Sequence, residues 1–396
     1  MSAHLRAVGT SPLSSCLLLL LLLLPLALSF RARPPHQHPG HLPSLVPHAP
    51  RSLARPRFSA QAQLDFTTHC NSSCYHRGEQ EPRRELLADW LAFETLYDNG
   101  SRTLTTVDVE DGDEEESEGL IMDAVPRLAR GRRSAPAIGR GKRRRRQIYG
   151  ADGRFNIRGD NFLLDYPFST AVRISTGCTG VLVSPRHVLT AAHCVHDGKD
   201  YVKGARKLRV GFLTPPSVNT TKPGQAPPKK PLVRWVRVRR TRVPKGWIQG
   251  PQDVSMDFDY ALLELRWPHR RPFMRLSVAP SSEDLAGKRI HFSGFDSDRP
   301  GELVYRFCPV EDESNDLIYQ HCDARPGASG SGVYGRVWDS DLERWERKVI
   351  GVFSGHQWLE IDGENRDFNV AVRLTPLKFA QICYWLHGNR VDCSKD

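Results

Sequence analysis

Beyond residue 30 the chain has no apolar run long enough to cross a bilayer, which takes about 20 residues. Its one long run, Leu17–Leu24, is broken by Pro25. Arg6 precedes that run, and the small residues of Ala27-Leu28-Ser29 follow it. Residues 1–29 are therefore expected to be a secretory signal peptide cleaved near Ser29, with an uncleaved anchor helix as the rival. The mature protein is expected to be soluble and extracellular, with no membrane span. Metal-finger spacing is missing too: no close pair of cysteines is matched by a second ligand pair at the interval of a zinc site. No odd cysteine is left over outside the leader, where Cys16 lies. The other eight are Cys70, Cys74, Cys178, Cys194, Cys308, Cys322, Cys383 and Cys393. An even number in an oxidising compartment reads as disulfides, and proximity suggests Cys70–Cys74, Cys178–Cys194, Cys308–Cys322 and Cys383–Cys393 among many possible pairings. Nothing in the pattern calls for a metal or another cofactor.

Residues 30–60 lack periodicity and are rich in Pro, His and Arg, which predicts disorder; His36, His38, His41 and His48 read as part of a solvated tail rather than a metal site. Over 84–97, Leu86, Leu87, Trp90, Leu91 and Leu96 fall near helical spacing and predict a short amphipathic helix. The acidic run at 108–118 is too charged to bury. Sequons at Asn71, Asn99 and Asn219 are candidate glycosylation sites. The run Arg143–Arg146 has two physical uses, binding a polyanion or serving as a cut site for a furin-type convertase. Composition changes at this run, so cleavage after Arg146 is expected, giving a body that begins at Gln147. The chain then divides into a leader (1–29), a largely disordered pro-region with one short helix (30–146), and a globular body (147–396).

The body reads as all-β. Short segments rich in β-branched and aromatic residues recur at 171–194, 207–213, 232–243, 260–267, 289–295, 302–310, 331–338, 348–356 and 368–374, separated by Gly, Pro or charged turns. That pattern predicts a sandwich or barrel. One helix is expected at 376–388, opened by Pro376 and closed by Gly388.

Three motifs carry chemistry. "LTAAHCV" holds His193 beside Cys194, "DFDYALLEL" puts Asp259 just before an apolar strand, and "GASGSG" sets Ser329 among small residues. A serine hydroxyl becomes a nucleophile only when a base takes its proton. Histidine has a suitable pKa, and a buried carboxylate fixes its tautomer. Glycines at 327 and 330 allow a tight turn in which the amides of Gly327 and Ser329 can converge on an oxyanion.

In the order His, Asp, Ser on an all-β body, these motifs resemble the chymotrypsin-like serine endopeptidases. The resemblance covers essentially all of 147–396. It implies two six-stranded antiparallel β-barrels with the site between them, and a C-terminal helix. It makes His193 the general base, Asp259 its orienting carboxylate and Ser329 the nucleophile, with Cys178–Cys194 bridging beneath the histidine loop. It places Ser354, Gly355 and His356 on the edge that pairs with substrate backbone, with His356 in place of a glycine. It also places Asp323 where trypsin-like enzymes hold a pocket carboxylate.

Two features depart from that family. Ala328 stands where an Asp is usual, and Gln147 stands where an Ile would supply the buried amino terminus. Losing both partners of an ion pair is self-consistent, whereas one unpaired buried charge costs several kcal/mol. Activation is therefore expected to take another route. The Cys322-Asp323 pair matches bacterial glutamyl endopeptidases better, yet Phe353 stands where their pocket histidine would be. The excess of 56 Lys and Arg over 45 Asp and Glu is concentrated near Lys229, Lys230, Arg234, Arg237, Arg239, Arg240, Arg242 and Lys245. In an exported protein this suggests a heparin-like glycan rather than nucleic acid; the alternative is an edge strand guarded by charge. Two functions stay open: an endopeptidase acting on protein or peptide substrates, and a binding protein on a protease scaffold.

Overall fold

The computed structural model describes residues 43–70, 84–110, 148–158, 160–214, 232–250, 254–281, 285, 287–361 and 363–388. The leader, Asn71, Cys74, Arg146, Gln147, Asn219, Lys229, Lys230 and Cys393 lie outside them. Before the expected body come strands β1 (Ser44–Pro47), β2 (Arg51–Leu53) and β3 (Thr67–Cys70), helix α1 (Arg84–Leu91), and strands β4 (Phe93–Tyr97), β5 (Arg102–Thr105) and β6 (Val107–Glu110). The body supplies β7 (Phe155–Ile157), α2 (Asp160–Leu164), β8 (Ala171–Ile174), β9 (Thr179–Ser184), β10 (His187–Thr190), β11 (Arg209–Thr214), β12 (Leu232–Pro244) and α3 (Lys245–Ile248). It continues with β13 (Ala261–Leu265), β14 (Arg289–Gly294), β15 (Leu303–Glu313), β16 (Leu317–Gln320), β17 (Gly332–Asp339), β18 (Arg344–Ile361), β19 (Glu364–Arg373) and α4 (Pro376–His387).

Two rings of six strands follow. The first runs β11-β8-β9-β10-β13-β12 and is closed by β11 pairing with β12; the second runs β14-β17-β18-β19-β16-β15 and is closed by β14 pairing with β15. All these pairs are antiparallel, as the two-barrel reading expects. Closure removes the open edges that a sheet of this size would otherwise present. Leu182, Leu189, Phe212 and Leu263 fill the first ring; Ile290, Phe292, Val333 and Phe353 fill the second. Each such side chain contributes about 1.5–3 kcal/mol of burial. Helix α4 forms as the sequence indicates. Thr375 accepts the Lys378 amide as N-cap, and Gly388 closes the helix at φ +73°. Among the described residues no helix is long and apolar enough to cross a membrane, which says nothing of strand-built spans.

Strands β7 and β16 were not visible in the sequence pattern. The helix expected over 84–97 stops at Leu91, and Phe93–Tyr97 is strand instead. Tertiary pairing overrides helical spacing there: β4 lies antiparallel to the C-terminal half of β12, and Phe93 packs edge-on against Trp385 of α4. The order of residues 43–70 and 84–110 also exceeds the expectation of disorder. Strands β4, β5 and β2 extend the first ring's sheet outward from β12, β1 pairs with β6, and β3 pairs in parallel with β18. The carboxylate of Glu94 is buried here, held by Arg102 at 3.3 Å and by the Tyr201 hydroxyl at 3.1 Å. Strand β12 thus pairs with β11 over Leu232–Arg237 and with β13 and β4 from Val238 to Pro244, so the charge-guard reading keeps Arg234 and Arg237, on the half with one partner strand, and loses Arg240 and Arg242.

A cut between Glu110 and Ile148 breaks the chain but none of these pairings. After cleavage at Arg146 the fragment holding residues 43–110 should therefore stay with the body. Both pieces are expected in one size-exclusion peak in native buffer, with or without mild reductant, separating only in denaturant. Release of the fragment under native conditions would contradict this.

Candidate active site

His193 sits in a single 3₁₀ turn, Ala192–Cys194, just after β10, and the Cys178–Cys194 disulfide staples that turn with Cα atoms 6.0 Å apart. Asp259 ends a second short turn, Ser255–Phe258, just before β13. The register of β10 against β13 pairs Thr190 with Ala261, which brings the two turns together. Asp259 is fully buried and receives three hydrogen bonds. The His193 backbone amide donates to Oδ1 at 2.8 Å. The His193 ring meets Oδ2 through Nδ1 at 2.7 Å, and the Ser354 hydroxyl donates to Oδ2 at 2.5 Å. A carboxylate facing Nδ1 places the ring proton there and leaves the Nε2 lone pair open. Among the described residues His193 Nε2 has no partner. Ser329 lies in the turn before β17; its hydroxyl donates to the carbonyl of Ser354 at 3.0 Å. Ser354 thus touches both halves of the site, and Ser329 and His193 are not hydrogen-bonded to each other.

The turn before the serine is held by neutral bonds. The Ala328 amide donates to Arg325 O at 3.0 Å, with Gly327 at φ +101°. A Cβ at Gly327 would lie 2.4 Å from Phe295 O, so only glycine fits. The Pro326 carbonyl accepts from Ser297 N at 2.8 Å, and the Gly327 carbonyl accepts from Thr179 Oγ1 at 2.8 Å. In a trans peptide the N–H points opposite to the C=O, so anchoring Pro326 O aims the Gly327 N–H away from Ser297. Among the described residues neither the Gly327 nor the Ser329 amide is hydrogen-bonded, which leaves two donors for an oxyanion. Ala328 is fully buried and carries no charge.

Asp323 does not serve as an open pocket carboxylate. Its two oxygens accept from the backbone amides of Tyr149, at 2.7 Å, and Gly153, at 2.6 Å. The start of the body thus engages both oxygens of the group expected to read substrate, and the residue is buried. The next residue, Arg154, is buried and bridges Asp296 and Asp298 at 2.7 Å each, and Asp152 at 2.9 Å. Burial alone would depress its guanidinium pKa, but the three carboxylates outweigh that and raise it. Asp296 in turn accepts the Arg325 amide at 3.1 Å. Residues 149–154 are therefore tied to both ends of the loop that leads to Ser329. Sequence reading missed Arg154, Asp296, Ser297 and Thr179, since single charged or hydroxyl residues far apart in the chain carry no local signal.

On the expected substrate edge, a Cβ at Gly355 would lie 2.3 Å from Phe66 O, and the His356 amide donates to that same carbonyl at 2.9 Å. The His356 ring is buried, with Nε2 3.6 Å from Asp367. Burial alone would raise the Asp367 carboxyl, but contact with His356 outweighs it and holds it below the usual range. Phe353 stacks on Phe292 inside the second ring, at 4.9 Å between centroids. Cys178, His193 and Cys194 gather possible ligand atoms within 4.8 Å, but both sulfurs belong to the disulfide and offer no thiolate. Cys308–Cys322 is the second pairing seen, with Cα atoms 5.2 Å apart. Cys70 and Cys383 are also disulfide-bonded.

Comparison with known proteins identifies the family. The family described as a trypsin-like peptidase domain matches residues 178–338. Serine protease 23 of Mus musculus is 55% identical over 357 residues, covering 89% of this chain and 90% of that protein. Human serine protease 23 is 54% identical over 358 residues, with the same coverage. Human "inactive serine protease 35" is 43% identical over 398 residues, covering 90% of this chain and 92% of that one. A solved structure of a Glu endopeptidase in complex with MPD aligns with 60% of this chain and 98% of its own, at 19% identity and a TM-score of 0.44.

His196, one turn beyond His193, gives a pH prediction. It is fully buried, and burial pushes its pKa from 6.5 down to about 4. A histidine with a lowered folded pKa adds stability above its unfolded value, and that stability is lost as pH falls from 6.5 towards 4. Between pH 7 and pH 5 the loss from this group should be about 2 kcal/mol. In His196→Asn, which keeps an acceptor for the Gly198 amide now bonded at 3.0 Å, denaturant unfolding at the two pH values should differ by correspondingly less. An equal acid sensitivity in both proteins would refute the assignment.

Proposed function

Because the chain belongs to the trypsin-like serine protease family that includes serine protease 23, we propose that it is a secreted serine endopeptidase. The observation that supports this most is the buried Asp259–His193 pair, with an open Nε2, beside two unbonded amides on the Gly327–Ser329 turn. In this reading Ser329 turns from Ser354 O to His193 Nε2 and attacks a peptide carbonyl. His193 takes the proton and passes it to the leaving amine, and water then hydrolyses the acyl-enzyme through the same base. Asp259 stabilises the imidazolium, and the Gly327 and Ser329 amides stabilise the oxyanion. Neutral bonds hold the turn, so activation does not draw on a buried amino terminus.

A second reading, a binding protein on a protease scaffold, has its own support. Ser329 is bonded to Ser354 O instead of His193, and a 43%-identical relative carries the name inactive serine protease 35. In either reading, export with convertase cleavage at Arg146 fits the leader, the Arg run and the exposed sequon at Asn99 in the β4–β5 turn.

The basic surface also narrows. Arg240 pairs with Glu264 at 2.6 Å, Lys245 with Asp89 at 2.6 Å, and Arg242 bonds Trp385 O. Exposed Arg206, Lys207, Arg237, Arg239 and Arg266 line one cavity, with Asp98 4.0 Å from Arg266 and Glu264 3.7 Å from Arg239. This is the proposed seat of a heparin-like glycan.

Ser329→Ala should abolish labelling by a fluorophosphonate and any peptidase activity, a loss of ~10⁶ in rate. His193→Ala should do nearly the same, and Asp259→Asn should slow labelling by roughly 10⁴. One residue added before Gln147 should change labelling by less than about tenfold. Failure of the wild type to label under any condition would favour the scaffold reading, and silencing by the extension would overturn the account of Ala328. For the glycan, Arg206→Ser, Arg237→Ser and Arg239→Ser combined should lower the salt needed to elute the protein from heparin. Unchanged elution would remove the glycan from the proposal.

A further inference from the structure

Residues 64–70 lie across the candidate site and touch it at several points. Leu64 packs on Gly177, where a Cβ would lie 2.9 Å from Leu64 Cδ1; Gly177 O in turn faces the Gly327 turn. Phe66 then stacks flat on His193, with ring centroids 4.8 Å apart and planes at 16°. Trp247 stands beside both rings, edge-on to Phe66 at 5.4 Å and 6.3 Å from the His193 ring. Trp247 is itself fixed, donating its indole N–H to His196 O at 2.8 Å. From Phe66 the chain joins β18 as β3, with Thr67 opposite His356 and Cys70 opposite Leu359, and with Thr68 Oγ1 3.5 Å from Met256 Sδ. The span therefore passes the oxyanion turn, the imidazole and the Ser354–His356 edge in that order. His193 and Ser329 are left only 1% and 3% exposed.

From this we infer that His193 and Trp247 form a subsite for an aromatic side chain, and that the chain's own Phe66 fills it, making residues 64–70 an intramolecular inhibitor. The inference rests on the reading of Ser329 and His193 as the reacting pair. The segment is seated without being attacked: the Phe66 carbonyl accepts from the His356 amide and not from the Gly327 or Ser329 amides. It is tied on both sides. Upstream, the Arg57 and Ala60 carbonyls accept from Tyr201 and Lys203, at 3.2 and 3.0 Å; downstream, β3 stays paired with β18 as far as Cys70 opposite Leu359. Since β4 and β5 stay paired to the body, a cut at Arg146 leaves the inhibitor in place. The site opens when a peptide bearing an aromatic residue competes for the His193–Trp247 subsite. Aromatic stacking on this pair adds specificity beyond apolar burial.

The test uses the full chain, with two readouts: the rate of fluorophosphonate labelling and hydrogen exchange at the His356 amide. Phe66→Ala should label at least about tenfold faster and expose the His356 amide. Phe66→Leu, which keeps apolar bulk for folding, should show a smaller rise, and Phe66→Tyr should match the wild type. In Phe66→Ala, N-acetyl-phenylalanine amide should slow labelling more than N-acetyl-alanine amide does. Faster exchange without labelling in any variant would support the inhibitor segment and overturn the peptidase reading. Labelling in all variants at the wild-type rate, with His356 equally protected, would overturn the inhibitor and leave the peptidase reading standing. Equal slowing by the two amides would overturn the aromatic subsite.

Discussion

A carboxylate with no access to water must find its donors inside the protein, and in this molecule one such carboxylate links the two rings. Asp259 comes from the first ring and takes two bonds from His193, also of the first ring, and one from Ser354 of the second. Leaving it unpaired would cost several kcal/mol, so the three donors are as much a folding requirement as a chemical arrangement. Ser354 then passes the constraint on, because its carbonyl receives the Ser329 hydroxyl. The candidate base, its carboxylate and the candidate nucleophile are thus placed by one small hydrogen-bonded cluster at the junction of two closed sheets.

The turn that leads to Ser329 shows how a protease scaffold can keep its shape without a buried ion pair there. Its carbonyls are held by Ser297, Thr179 and Ser331, and Arg325 closes on Ala328. Charge is not absent, only displaced: Arg154, Arg306 and Asp296 form a buried cluster one loop away, and Asp323 binds the amides of Tyr149 and Gly153. The contact between the start of the body and the nucleophile loop survives, but it is made through backbone amides and a guanidinium. Neither needs a free amino terminus, so the geometry of this turn is separable from cleavage of the chain.

The segment before the body changes how such a molecule would be switched on. Strands β2, β4 and β5 continue the first ring's sheet, and Phe66 covers the imidazole. A chain built this way can carry a complete set of reacting groups and still be silent. Activity would depend on whether the cover moves as well as on whether the three residues are present.

Much of the body was legible in the sequence because its signals are local. Alternating β-rich segments, Pro376 and Gly388 at the ends of α4, the small residues around His193 and Ser329, and two near-neighbour disulfides each report on a few adjacent positions. The region before residue 110 was largely illegible. Strands of three to five residues carry too little alternation to stand out, and their stability comes from pairing with β12 and β18, far away in the chain. Asp323 had the right position for a pocket carboxylate, but its role followed from which donors came within reach, and Tyr149 and Gly153 are some 170 residues distant. Thus the candidate reacting groups could be picked out in the sequence, since chemistry resides in side-chain type. Which of them face each other, which are already bonded and which are covered were decided only in three dimensions, because hydrogen bonds and ring stacking depend on distances that chain order does not specify.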